Sequence, residues 1–175
     1  MEPEYLTAKN AKITKIVDKQ EDQKMKDAKA LCDQVRQIAY DIHAYHGHGH
    51  LEKVYENALG HRLRKAGLDI KQQHPIQVFD EDGTLLGDYY ADLFVENCLV
   101  IELKTAKALA DEHAAQILGY LKSSRCEHGL LINFGSYKFE IRKYAWSEPA
   151  NHSATAKPSL TTKRSQRTQS NMLSM

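Results

Sequence analysis

The residues best suited to joint chemistry are Asp92, Glu102 and Lys104. Residues 84–95 and 98–104 read as two strands joined by a tight connection at Glu96-Asn97. Side chains alternate across a strand, so Asp92 shares a face with Phe94, and Glu102 shares one with Val100 and Lys104. A three-residue connection sets Asp92 directly opposite Glu102; a two-residue one leaves them diagonal. Two carboxylates so close repel unless a divalent cation lies between them, and hard oxygen ligands suit Mg²⁺ or Mn²⁺. Such a cation acidifies a bound water and draws charge from a phosphoryl oxygen. Lys104 can hold that water or stabilise a pentacovalent transition state. The plainer reading is a solvent-facing salt bridge, and an Asp followed after a variable gap by (Asp/Glu)-x-Lys arises by chance about once in a chain of this size. Placement separates the two: the Asp lies within one strand, the Glu-x-Lys ends the next, and a helix follows.

These side chains need elements to position them. Met25, Ala28, Leu31, Cys32, Val35, Ile38, Ala39 and Ile42 recur at helical spacing, ending at the glycines of Tyr45–His50. A second helix begins near Leu51 and carries Val54, Tyr55, Ala58, Leu59 and Leu63, with Gly67 where a C-terminal cap belongs. Residues 68–80 are extended around Pro75, which suits an edge strand, and Asp80–Gly83 is a turn. A third helix is expected over 107–124, a fully buried strand over 129–134 and an alternating one over 137–144. Residues 1–24 read as a loose N-terminal arm, 25–148 as the folded domain and 149–175 as a disordered basic tail. The order predicts an α/β domain around one mixed sheet.

Composition narrows the classes. At 175 residues, 42% hydrophobic and 27% charged, the chain can build one real core. No apolar run approaches the ~20 residues of a bilayer span, and the N-terminus lacks a secretory apolar core, so a cytoplasmic protein is expected. Cys32, Cys98 and Cys126 form no CxxC pair and suggest neither a disulfide framework nor a zinc ribbon. The net charge of +1 hides an asymmetry: residues 151–175 hold Lys157, Lys163, Arg164 and Arg167 without an acid, leaving −3 on the preceding 150. A body of that sign must meet a polyanion through a local basic groove, a bound cation or the tail.

The chain resembles the PD-(D/E)XK nuclease superfamily, and within it the small proteins named after a GxxExxY signature. Here that signature is Gly49-His50-Leu51-Glu52-Lys53-Val54-Tyr55. The likeness continues through Gly87–Leu93, Val100–Lys104, His113–Leu121 and Gly129–Gly135, about residues 35–145 in all. The resemblance implies a restriction-endonuclease-like α-β-β-β-α-β core, its mixed sheet flanked by helices, with an extra N-terminal helix. It implies a metal held by Asp92, Glu102 and the carbonyl of Leu103, with Glu52 contacting it directly or through water. The proline that often precedes the strand aspartate is Ala91 here, and it is not a ligand. Gln116 and Tyr120 match the QxxxY element of RecB-like members and share one helical face with His113 one turn earlier. That resemblance has Gln116 and Tyr120 line the substrate groove, with Gln116 near the lysine. By themselves the three are an ordinary polar helix face.

Other candidates carry less. His46, His48 and His50 alternate with glycines and could bind Ni²⁺, Cu²⁺ or Zn²⁺, but the loop is flexible and has no acidic or cysteine partner nearby. This loop delivers the helix bearing Glu52, and helix N-terminal amides attract phosphate, so His50 is a candidate phosphate contact, while His113 is a candidate substrate-binding residue beside Gln116 and Tyr120. Tyr55 is expected to pack. The leading expectation is an Mg²⁺- or Mn²⁺-dependent phosphodiesterase acting on nucleic acid, with DNA the polymer favoured. The alternatives are a non-catalytic nuclease-fold module binding nucleic acid or protein, and a transition-metal-binding surface. A homodimer or partner protein is compatible with either fold-based reading.

Overall fold

The computed structural model describes residues 3–147, with side chains from Gln23 onward. In chain order the elements are α1 (Pro3–His46), α2 (Glu52–Lys65), β1 (Ile70–Phe79), β2 (Leu85–Val95), β3 (Leu99–Lys104), α3 (Asp111–Ser124), β4 (His128–Asn133) and β5 (Glu140–Ala145). The strands form one mixed sheet in the order β1-β2-β3-β4-β5. β1, β2 and β3 make an antiparallel meander, β3 and β4 run parallel through the α3 crossover, and β5 returns antiparallel. This is the mixed α/β, restriction-endonuclease-like arrangement expected from the sequence, preceded by α1.

Two apolar layers hold the sheet. On one face Val35, Ala39 and Ile42 of α1 and Tyr55, Leu59 and Leu63 of α2 meet Leu93, Ile101, Leu103, Ile132 and Phe134. On the other, Ile117, Tyr120 and Leu121 of α3 cover Val100 and Leu131. Each fully buried Val, Leu, Ile or Phe among them contributes about 1.5–3 kcal/mol relative to exposure. β3 and β4 are covered on both faces, so they are apolar almost throughout. Glu102 and Asn133 are the buried exceptions. Pro75 lies in β1, an edge strand, where its missing N–H breaks no central ladder.

Two boundaries differ from expectation. α1 begins at Pro3, so residues 3–24, read as a loose arm, are helical backbone. That run has proline at the first helical position, no glycine, and many Ala, Lys, Glu and Gln residues, a composition that favours helix without the apolar stripe that marks one by periodicity. α3 begins at Asp111 rather than 107. Asn133 prevents the earlier start: its Oδ1 accepts the Ala106 N–H (3.1 Å) and its Nδ2 donates to the Ala106 carbonyl (2.9 Å). The second bond claims the Ala106 carbonyl, the first acceptor of a helix beginning at 107, and the first pins its N–H in the loop. The tail expected over 149–175 lies outside the described residues.

α2, which carries Glu52, is fixed at both ends. After its last turn, Gly67 adopts φ +86°, the Gly67 N–H bonds the Arg64 carbonyl (2.9 Å) and the Leu68 N–H bonds the Leu63 carbonyl (3.2 Å). This is a Schellman closure, which favours glycine at the left-handed position. Ahead of the helix, the Tyr55 hydroxyl donates to the Gly47 carbonyl (2.8 Å) and accepts the His50 N–H (3.3 Å). The Tyr55 ring stacks on Phe134 at 4.6 Å. Tyr55 thus packs, as expected, and also ties the glycine-rich loop to the core.

Candidate active site

The site forms where β2 parts from β3. The ladder joins Val95 to Leu99, Phe94 to Val100 and Leu93 to Ile101, a register in which Asp92 and Glu102 would be the next pair. The connection is three residues long, 96–98, with Glu96 and Asn97 both left-handed and the Cys98 N–H on the Val95 carbonyl (3.1 Å). It matches the three-residue alternative. Beyond Leu93 a side chain replaces the backbone partner: Asp92 Oδ2 accepts the Leu103 N–H at 2.8 Å.

Around this split four charged groups gather. Glu102 is 3% exposed; its Oε1 accepts from Lys104 Nζ at 2.7 Å, and its Oε2 is buried with no partner. Glu52, at the start of α2, accepts the Thr105 N–H at 3.1 Å, which brings α2 to the end of β3. Burial first, then the charge of Asp92, pushes the Glu102 carboxyl up to about 7. Burial likewise raises Asp92, against the Leu103 N–H and Gln73 amide that favour its anion. Burial raises Glu52 too, opposed by Lys104 and reinforced by Asp92. Burial alone would lower Lys104, but its bond to Glu102 and the surrounding carboxylates raise it, so the ammonium persists. The cleft crowds negative charge that one lysine only partly offsets.

α3 contributes the opposite wall. Gln116 Nε2 donates to the Tyr120 hydroxyl at 2.7 Å across one helical turn. Tyr120 is 5% exposed, and burial raises its phenol, with Glu102, Lys104 and Asp92 close enough to act on it electrostatically. The structure thus brings Glu52, Asp92, Glu102, Lys104 and Tyr120 together, with Gln116 joined through Tyr120. The His113 side chain is engaged within its own helix, where its Nδ1 accepts the Ala110 N–H (3.1 Å) and caps α3. His50 lies exposed on the loop before α2, its ring 5.8 Å from His46 and 5.8 Å from Tyr55. His48 faces Tyr137 instead (6.0 Å), so the three histidines of the loop do not gather at one point.

Three participants escaped the sequence reading. Glu56, 3% exposed, accepts from Lys53, Gln72 and Gln73. Gln73 also donates to Asp92 Oδ1 at 3.1 Å. Asn133 brackets the loop after Lys104. Glu56 stands one helical turn after Glu52, a spacing that was available as a signal. Gln73 and Asn133 had none, because their roles depend on contacts distant in sequence.

Among the described residues no group of three His, Cys, Asp or Glu side chains is drawn together tightly enough to hold a metal ion. The donor set nevertheless fits a hard cation that keeps part of its water shell, since such ions need only one or two carboxylates. The unpartnered, buried Glu102 Oε2 is the atom that most requires one.

A family model described as the PD-(D/E)XK nuclease superfamily matches residues 29–144. No curated protein matches the chain. A solved structure described as "Crystal structure of SSO0001" is similar with a TM-score of 0.46 and 17% identity. That likeness covers 53% of this chain and 48% of the other, so the chain spans about half its length.

Proposed function

The chain belongs to the PD-(D/E)XK nuclease superfamily, and from that premise we propose that it is an Mg²⁺- or Mn²⁺-dependent nuclease hydrolysing phosphodiester bonds, with DNA as its polymer. Within the superfamily we place it with the GxxExxY proteins on Gly49–Tyr55, and read Gln116 and Tyr120 as a QxxxY element. The observation that carries the reading is the Glu52–Asp92–Glu102 carboxylate cluster around Lys104, with Glu102 Oε2 buried and unsatisfied.

Asp92, Glu102 and the Leu103 carbonyl would hold the cation, with Glu52 completing the set directly or through water. When bound, it supplies a water of lowered pKa and withdraws charge from a phosphoryl oxygen. Lys104, held cationic by its carboxylate neighbours, serves better as a donor to developing negative charge than as a base. Gln116 and Tyr120 shape the groove, with His113 one turn earlier on the same helix, and His50 is the candidate phosphate contact.

The test is incubation with single-stranded and duplex DNA and RNA, with and without Mg²⁺ or Mn²⁺, beside Glu102→Ala and Lys104→Ala. Cation-dependent cleavage lost in both variants is expected. Cleavage that survives in both removes the site. No cleavage under any condition favours a non-catalytic binding module, a reading supported by the net negative charge of residues 1–150.

A further inference from the structure

We infer that Gln73 is a positioning residue whose side-chain amide ties Asp92 to Glu56 and fixes the Asp92 carboxylate for a divalent cation. This rests on the reading of Asp92 as a cation ligand. Gln73 lies in β1 between Gln72, which pairs with Leu93, and His74, which pairs with Ala91, so it stands across from Asp92. Its φ is +50°, left-handed, a conformation uncommon for any residue but glycine and unexpected inside a strand. The residue is exposed, so core packing does not impose this conformation. Its amide explains it: Nε2 donates to Glu56 Oε2 at 2.9 Å and to Asp92 Oδ1 at 3.1 Å. Ionised carboxylates only accept, so the NH₂ end must face both, and the orientation of the amide is fixed by chemistry.

Glu56 is the anchored end of this bracket. It is 3% exposed, and both its oxygens are engaged: Lys53 reaches them at 2.7 and 2.8 Å, and Gln72 Nε2 reaches Oε1 at 2.9 Å. Gly60 leaves room for Gln72, since a Cβ there would lie 3.2 Å from its amide carbon. At the other end, Asp92 is held through both oxygens, Oδ1 by Gln73 and Oδ2 by the Leu103 N–H. Strain in the backbone of an exposed residue persists when surrounding contacts demand it, and such residues cluster at ligand sites.

The experiment compares wild type, Gln73→Gly and Gln73→Met by Mn²⁺ titration calorimetry and by thermal unfolding in chelator. Glycine accepts the left-handed backbone without strain and removes the amide; methionine keeps the length and removes only the donors. Both variants are expected to weaken Mn²⁺ binding about 10–100-fold. Gln73→Gly should at the same time unfold no earlier than wild type, separating positioning from structural support. Wild-type Mn²⁺ affinity in Gln73→Gly, or no Mn²⁺ binding by wild type, overturns the inference. Mn²⁺ binding that depends on Gln73 in a protein that cuts nothing keeps the inference and removes the nuclease reading. Cleavage with Mn²⁺ affinity indifferent to Gln73→Gly does the reverse.

Discussion

Glu102 carries the largest electrostatic burden in the cleft, and its sign is testable. Its carboxyl titrates near 7 when folded against an ordinary 4.5, so between those values the folded state binds a proton that the unfolded chain has released. Stability of the cation-free protein therefore falls as pH rises through that window, by about 3 kcal/mol from this group alone, and levels off above it. Asp92 and Glu52, also raised, act in the same direction, whereas the lowered His74 and His128 oppose it. Glu102→Gln isolates this contribution. In chelator at pH 8 this variant should unfold on the order of 5 °C above wild type, and the fall between pH 4.5 and 7 should flatten. Thermal scans across pH check this. The same substitution should lower cation-dependent cleavage by about 10³-fold or more, measured by single-turnover assay. A residue that stabilises the fold when removed yet abolishes activity is retained for function.

At the scale of elements, the site depends on the loop between β3 and α3. Asn133, wholly buried on β4, satisfies both backbone groups of Ala106 and accepts the Gly135 N–H (3.0 Å). Asn133→Ala should cost about 2–3 kcal/mol by leaving buried polar groups unpaired, read by urea denaturation. It should also impair cleavage, because this loop carries Thr105, the partner of Glu52. Gly135 is equally constrained: a Cβ there would stand 2.2 Å from the Thr105 carbonyl carbon. Gly135→Ala should therefore displace the loop and destabilise more than a surface substitution, by several kcal/mol in the same assay. The strands, Gly67 and the Asp92–Glu102 face were legible because alternation and cap chemistry are local properties. Gln73, Asn133 and the late start of α3 were not, because each is decided by a partner more than fifteen residues away. The helical backbone of residues 3–24 was missed for another reason: helix propensity carries no apolar period.

For the whole molecule, the sheet sets the charged cluster apart from the apolar layers. Its central strands are covered by helices on both faces, and among the described residues Glu52, Asp92, Glu102 and Lys104 gather where β2 and β3 separate. Among the described residues no helix is long and apolar enough to cross a membrane. With −3 on residues 1–150 and several carboxylates gathered together, a bound cation would offset the local negative charge that an anionic polymer meets there. Mg²⁺ or Mn²⁺ should therefore raise the unfolding temperature in a concentration-dependent way, by the equivalent of about 2.7 kcal/mol at a hundredfold excess over its dissociation constant. Asp92→Asn with Glu102→Gln should remove that rise, as scanning fluorimetry would show.

A shared cation between Asp92 and Glu102 is tested most directly by anomalous diffraction from crystals soaked in Mn²⁺. The expected peak lies within ligand distance, roughly 2.0–2.6 Å, of both the Asp92 and Glu102 carboxylates. A peak confined to His46, His48 and His50, or no peak at saturating Mn²⁺, would contradict it.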